Sequence, residues 1–199
     1  MISDCLVWLS RIRHRKGFGV QSPFAYNLVC GVINERGSYY AYAELQEKRA
    51  QLSEEECCNS VKVDRLLFRL SNFVQPSLMV IPSLGFSASR LCLSAGCRAA
   101  DVVEWAELSQ LRMMDLGQQP VLLYVRSEEN VAEILSDILP VLDSRSLVVI
   151  EGIHKDRSAR KQWKFLTENP HAVLTFDLYK LGLVFLDKKY VKQHYIVNF

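Results

Sequence analysis

The chain has 199 residues, 49% of them hydrophobic and 23% charged, which is long enough to bury a sizeable core and too apolar for a disordered chain. A net charge of +2 singles out no partner. No apolar run reaches the roughly 20 residues of a membrane span, so a membrane role is excluded from the expectations.

A first helix is predicted from about Asp4 to His14, with Leu6, Leu9 and Ile12 inward and Gly17-Phe18-Gly19 as its stop. No basic region precedes its apolar stretch, so no signal peptide is expected and the expected location is cytoplasmic. Its end carries Arg11-Ile12-Arg13-His14-Arg15-Lys16. That run reads either as a phosphate or nucleic-acid contact or as a solvated helix end, and nucleic acid is not the expected partner. Ser22-Pro23 is a start signal, because serine caps free N–H groups and proline suits the first helical position. Phe24, Leu28 and Val32 then share one helix face. A third helix is predicted from about Ala41 to Leu52, followed by Ser53-Glu54-Glu55-Glu56 as a solvated loop. A fourth runs from about Val61 to Phe73, with Val63, Leu66, Leu67, Leu70 and Phe73 apolar, and Pro76 closes it.

From there the pattern alternates. Leu78–Ile81, Asp101–Trp105, Val121–Val125 and Leu147–Ile150 are short apolar runs of the kind that forms strands buried on both faces. Helical patterns separate them: Ser87 to Ala95, Leu108 with Leu111 and Met114, then Val131 with Ile134, Leu135 and Ile138. Ala159, Trp163 and Leu166 mark one more. Alternation of this kind predicts right-handed βαβ units and a mostly parallel sheet. The runs Ala172 to Tyr179 and Leu183 to Leu186 are joined too tightly to be parallel, so a C-terminal antiparallel hairpin is predicted. Tyr195 to Phe199 is read as a last strand. Residues 1–75 read as a helical N-terminal extension and 76–199 as the α/β core of a single domain. The six cysteines contain no C-x-x-C pair, so reduced, packed thiols are expected and no metal site.

In open α/β sheets, ligands sit outside the C-terminal strand ends. Four places qualify. Ser83-Leu84-Gly85-Phe86-Ser87 follows the first strand, with a glycine that lets a ligand approach and a helix N-terminus beyond it. Glu104 ends the second strand, where a carboxylate accepts from both ribose hydroxyls, and Trp105 beside it either stacks on an adenine or packs. After the third strand stands Arg126-Ser127, with Ser127 read as a helix cap. After the fourth, Glu151 and His154 lie three residues apart, a spacing open to acid/base chemistry, to a metal or to a plain polar loop.

Taken together these residues resemble a family. Gly19-Val20-Gln21-Ser22-Pro23-Phe24 is similar to the G-V-x-S-P-F signature of a group of bacterial class I S-adenosylmethionine-dependent methyltransferases. Leu66-Leu67-Phe68-Arg69-Leu70 through Pro76 resembles the helix before its cofactor strand. Ser83 to Ser87 resembles its S-L-G-x-S turn, and Ile150 to His154 its D-D-I-H motif. Trp163, Pro170 and Asp177 to Phe185 resemble its C-terminal end. The resemblance implies a Rossmann-like methyltransferase fold and S-adenosylmethionine as cofactor. Ser83, Leu84, Gly85, Ser87, Glu104 and Trp105 would hold it, with His154 or Glu151 as base and a small-molecule or protein acceptor. A homo-oligomer is compatible with it. Departures are also plain. Met79 and Ile81 stand where the family has an acid and a glycine in E-I-G-x-S-L-G. The D-G pair of D-G-N-H has no counterpart around Val125-Arg126, and Gly152 replaces the second acid of D-D-I-H. Ala106 to Pro120 is short by one βα unit. The expected function is therefore a methyltransferase-like protein with an eroded cofactor site. The alternative is an inactive, pseudoenzyme-type interaction or regulatory module.

Overall fold

The computed structural model describes Arg11 and residues 22–199. The first predicted helix and its Gly17-Phe18-Gly19 stop lie outside the described residues, as do Arg13 to Lys16.

Helix α1, Pro23–Leu28, begins where the capping chemistry requires. Ser22 is extended, its Oγ accepts the Ala25 N–H at 3.4 Å, and Pro23 opens the helix. A π turn, Val29–Ile33, continues it. Helix α2, Ala41–Arg49, is shorter than predicted, because the chain passes into turns through Leu52. Helix α3, Val61–Val74, starts at a Ser60 cap and stops before Gln75, whose left-handed φ of 48° ends it one residue ahead of Pro76. Val63, Leu66, Leu67 and Leu70 are buried, as their spacing requires. Phe73 is not: it is 38% exposed and rests against Phe24, with ring centroids 5.9 Å apart.

Seven strands follow: β1 Leu78–Pro82, β2 Asp101–Trp105, β3 Val121–Arg126, β4 Leu147–Glu151, β5 Leu174–Asp177, β6 Leu181–Phe185 and β7 Gln193–Ile196. Their order in the sheet is β2-β1-β3-β4-β6-β5-β7. β1 to β4 are mutually parallel, β6 runs against both neighbours, and β7 is parallel to β5. Only a 3-10 helix, Leu108–Met113, separates β2 from β3, so β2 stays at the sheet edge and no further strand covers it. Its residues 101–104 are correspondingly exposed. The last strand is displaced toward the N-terminus of its predicted run and stops at Ile196.

Period-two alternation divides the strands between two cores. Met79, Ile81, Leu122, Tyr124 and Val149 face α1, α3 and helix α4, Ser87–Gly96. Leu78, Val80, Leu123, Val125 and Val148 face the 3-10 helix, α5 (Val131–Ile138) and α6 (Arg157–Glu168). Burial on both faces is why β1, β3 and β4 read as unbroken apolar runs. Among the described residues no helix is long and apolar enough to cross a membrane.

Gly182 in β6 fixes how close α6 can come. A Cβ there would lie 2.6 Å from the Trp163 ring and 3.0 Å from Ile153. Gly182→Ala therefore forces an indole out of a packed layer. A loss of about 1–3 kcal/mol is expected in urea unfolding, the usual cost of overpacking, and an unchanged midpoint would refute this account of the contact.

Candidate functional site

The strand order reverses between β1 and β3: β1 leads on to β2 on one side, while β3 and β4 lie on the other. In such a sheet the crevice opens above the C-terminal ends of these two strands. The β1–α4 turn enters it. Ser83 N–H donates to the Trp105 carbonyl at 2.8 Å, Leu84 is 80% exposed, and Gly85 has φ +77°. Gly85 thus adopts the left-handed form its residue type favours.

The surroundings of Gly85 come from the chain itself. A Cβ at that position would meet Cys58 Sγ at 3.0 Å, the Glu55 carbonyl at 3.5 Å and Arg126 Nη2 at 3.7 Å. The start of α4 is engaged too. Ala88 N–H donates to the Glu56 carbonyl at 3.2 Å, and Ser87 Oγ donates to Glu56 Oε1 at 3.1 Å. Hydrogen bonds from the Ser53 N–H and hydroxyl, then from Ser87, hold the Glu56 carboxyl below its usual range. Ser53, Glu54 and Glu55 are exposed in a turn, as their acidity predicts, while Glu56 is tied to the start of α4. A carboxylate beside free N–H groups is favoured there.

Arg126, at the end of β3, lies beside the β1–α4 turn. Its guanidinium lies over the Phe86 ring at 4.5 Å and 3.7 Å from Cys58 Sγ. Ser127 is not a helix cap. It is buried at the end of β3, its N–H donates to the Glu151 carbonyl, and α5 begins only after Asn130. At the edge strand, Glu104 is ion-paired with Arg90 of α4. Trp105 is buried against Leu108 and Leu111, and its indole N–H donates to the Tyr124 carbonyl at 3.4 Å.

Glu151 and His154 have different partners. Glu151 Oε2 accepts from the Tyr124 hydroxyl at 3.1 Å. Burial pushes its carboxyl above the usual range, against the opposing pull of Arg126 and of that hydrogen bond. Tyr124 is fully buried, and burial with the nearby Glu151 keeps its hydroxyl protonated and donating. Behind it runs a chain of buried polar groups. Asn59 Nδ2 donates to Tyr124 Oη at 2.7 Å and to Ser89 Oγ at 3.0 Å. Ser89 Oγ donates to Asp64 Oδ1 at 2.7 Å, and Asp64 pairs with Arg49. Arg49 returns to the Asn59 carbonyl at 2.6 Å. Sequence reasoning missed Asn59, Asp64, Ser89 and Tyr124. The available signal was one tyrosine inside the apolar run of β3, which needs a buried partner.

His154 belongs to a second cluster. Its Nε2 lies 2.6 Å from Asp177 Oδ2, and its ring stacks on Tyr179 at 5.1 Å. Arg11 Nη1 donates to Asp177 Oδ1 at 2.7 Å, and its guanidinium also covers the Tyr179 ring. Burial raises the Asp177 carboxyl, but the hydrogen bonds and charges of His154 and Arg11 outweigh it and hold the group well below the usual range. An ionised Asp177 accepts from His154 Nε2 and orients the ring, and Nδ1 is the ring nitrogen outside this pair. Arg11 thereby acts as an ion-pair partner of Asp177. Among the described residues no three acidic, histidine or cysteine groups gather as metal ligands.

No known family profile matches the chain, and no curated protein matches it. Solved structures do. The SAH-bound methyltransferase PaMTH1 of Podospora anserina superposes with a TM-score of 0.56 at 13% identity, over 83% of this chain and 96% of its own. Cofactor-bound Rv0187 from MTB gives 0.53 at 14% identity, over 76% and 92%. A methyltransferase from Geobacter sulfurreducens gives 0.50 at 12%, over 77% and 92%. The fold is the methyltransferase fold. At these identities the likeness extends to the fold alone.

The ion pair of Asp177 supplies a pH test. Its carboxyl is depressed in the folded state, so its contribution is present above the unfolded value of about 3.9 and is lost as pH falls through the folded value. Asp177→Asn should cost about 3 kcal/mol at pH 7, as for a buried pair that loses one partner. It should also flatten the decline in stability below about pH 4. Urea midpoints across pH check both, and a variant with the wild-type acid profile would contradict the assignment.

Proposed function

We propose that this chain is an S-adenosylmethionine-dependent methyltransferase-like protein with an eroded cofactor site, in which the Glu55–Cys58 segment competes with the cofactor. The observation that carries the reading is the segment's position, with Cys58 against Gly85 and Glu56 on the first turn of α4. Residue types that suit the cofactor are present. Gly85 and the α4 N-terminus suit its methionine end, and Glu104 with Trp105 its nucleoside. Each of them already has a partner inside the chain: Cys58, Glu56, Arg90 and the Tyr124 carbonyl. When bound, S-adenosylmethionine would supply an electrophilic methyl group. The chain's own contribution would be His154 Nδ1 as base, oriented by Asp177, with Glu151 as the second acid/base group.

A second reading, an inactive interaction or regulatory module, is favoured by β1 itself. Met79 and Ile81 are wholly buried beneath α4, and Pro82 offers no N–H at the strand end. No acid and no small residue is left there to receive the methionine part.

Titration calorimetry with S-adenosylmethionine and S-adenosylhomocysteine separates the readings. For the wild type we expect dissociation constants weaker than about 100 µM, because only the fraction with the segment displaced can bind. Glu56→Ala with Cys58→Gly should tighten binding about tenfold, and Glu104→Ala should weaken it. Tight wild-type binding indifferent to the segment would overturn the competition. No heat from either protein at millimolar ligand would favour the inactive module.

A further inference from the structure

Helix α3 carries a stripe of cations that form no ion pair among the described residues. Lys62, Arg65 and Arg69 are spaced by three and four residues, so they share one helix face. Like charges at that spacing repel. They line a cavity of about 340 Å³ together with Arg36 and Phe199.

The partners of these cations are all neutral. Arg69 is buried, and its guanidinium donates to the Val32 carbonyl at 2.6 Å, the Tyr42 hydroxyl at 3.1 Å and the Ile33 carbonyl at 3.3 Å. Those bonds leave one N–H on each terminal nitrogen. Arg65 lies over the Tyr42 ring at 4.8 Å, and Lys62 Nζ over the Phe199 ring at 4.1 Å. None of the four cations forms an ion pair among the described residues. Of the side chains on the wall only Glu35 is acidic, and its carboxylate accepts from the Gly37 N–H. Burial, then the like charges of Lys180 and Arg69, pushes the Lys62 ammonium below its usual value, as expected where a negative charge is wanted. A buried guanidinium without a carboxylate is costly, and the arrangement makes sense with an anion in the cavity.

We propose that this cavity binds the phosphate group of a small phosphomonoester. Paired guanidiniums suit a dianionic phosphate, because their forked donors match its oxygens. The volume lies at the lower end of small-ligand sites, about 300–1,000 Å³, and a walled concavity favours a small molecule over a polymer. The site is formed by α3, the residues after the π turn and the C-terminal residues. It shares no side chain with the β1–α4 turn, so it stands whether or not S-adenosylmethionine binds.

The test uses the full chain with inorganic phosphate and ribose 5-phosphate as probes and ribose as control. Calorimetry and thermal shift should show both phosphates binding and ribose inert. Lys62→Gln with Arg65→Gln should weaken binding at least about tenfold, while Lys164→Gln on α6 leaves it unchanged. Without ligand, the double variant should melt no lower than wild type, since it loses like-charge repulsion. Should it fail to fold, the exposed single variant Lys62→Gln carries the same expectation with a smaller loss. Absence of binding at about 10 mM of either phosphate would overturn the proposal. So would equal binding by the variant, or preferential capture of single-stranded RNA that ribose 5-phosphate does not displace.

Discussion

The Asn59 side chain is the fixed point on which the crevice depends. Its side-chain amide donates to Tyr124 on β3 and to Ser89 on α4, and the backbone carbonyl of the same residue accepts from Arg49 on α2. One residue thus ties the segment after α2 to the sheet and to the helix above it. Buried amides are held this firmly only when their donors are satisfied, because each unmatched group costs about 1–3 kcal/mol. With Asn59 anchored, Cys58 and Glu56 have little choice of position. They fall against Gly85 and the first turn of α4. The state of the crevice is therefore set by hydrogen bonds made beneath it.

The sheet supplies the second constraint. Four parallel strands bring Pro82, Trp105, Arg126 and Glu151 to one edge, and the reversal of order between β1 and β3 leaves the gap there. The antiparallel β6 extends the same edge, because its start pairs with the end of β4, and Asp177 reaches it from β5. That is how His154 and Asp177, 23 residues apart, come within 2.6 Å. The edge therefore holds two separate polar clusters, one centred on Tyr124 and Glu151, the other on Asp177.

Much of this was legible in the sequence. Strands buried on both faces must be apolar throughout, so β1, β3 and β4 announced themselves, and Ser22-Pro23 marked α1 through capping chemistry alone. The antiparallel hairpin followed from the length of its connection. What escaped was tertiary. The acidity of Ser53–Glu56 suggests solvent, and nothing local shows that a helix N-terminus lies within reach of Glu56. Ser127 has the composition of a cap, yet the chain continues past it to Asn130 before turning helical. Glu151 and His154 are neighbours in sequence, and that proximity hid the fact that each pairs with a residue from another strand. Trp105 was read as open to stacking or packing, and only the position of the 3-10 helix decides that it is covered.

The distribution of charge sharpens the functional argument. A site that binds a ligand holds groups whose partners arrive with that ligand. Three acids at or behind the sheet edge are matched internally, Glu104 by Arg90, Asp177 by His154 and Arg11, and Asp64 by Arg49, while Arg126 rests on the Phe86 ring and Cys58. A cofactor entering there must displace bonds that already exist, so its net gain is small even where the residue types suit it. On α3 the position is reversed. Among the described residues Lys62, Arg65 and Arg69 meet carbonyls, a hydroxyl and aromatic rings, and an incoming anion would displace no ion-pair partner there. Electrostatic focusing in a concave site raises that gain further. By this measure a ligand at the crevice has existing bonds to displace, and the phosphate proposed for the cationic face of α3 has no partner of opposite charge to displace among the described residues.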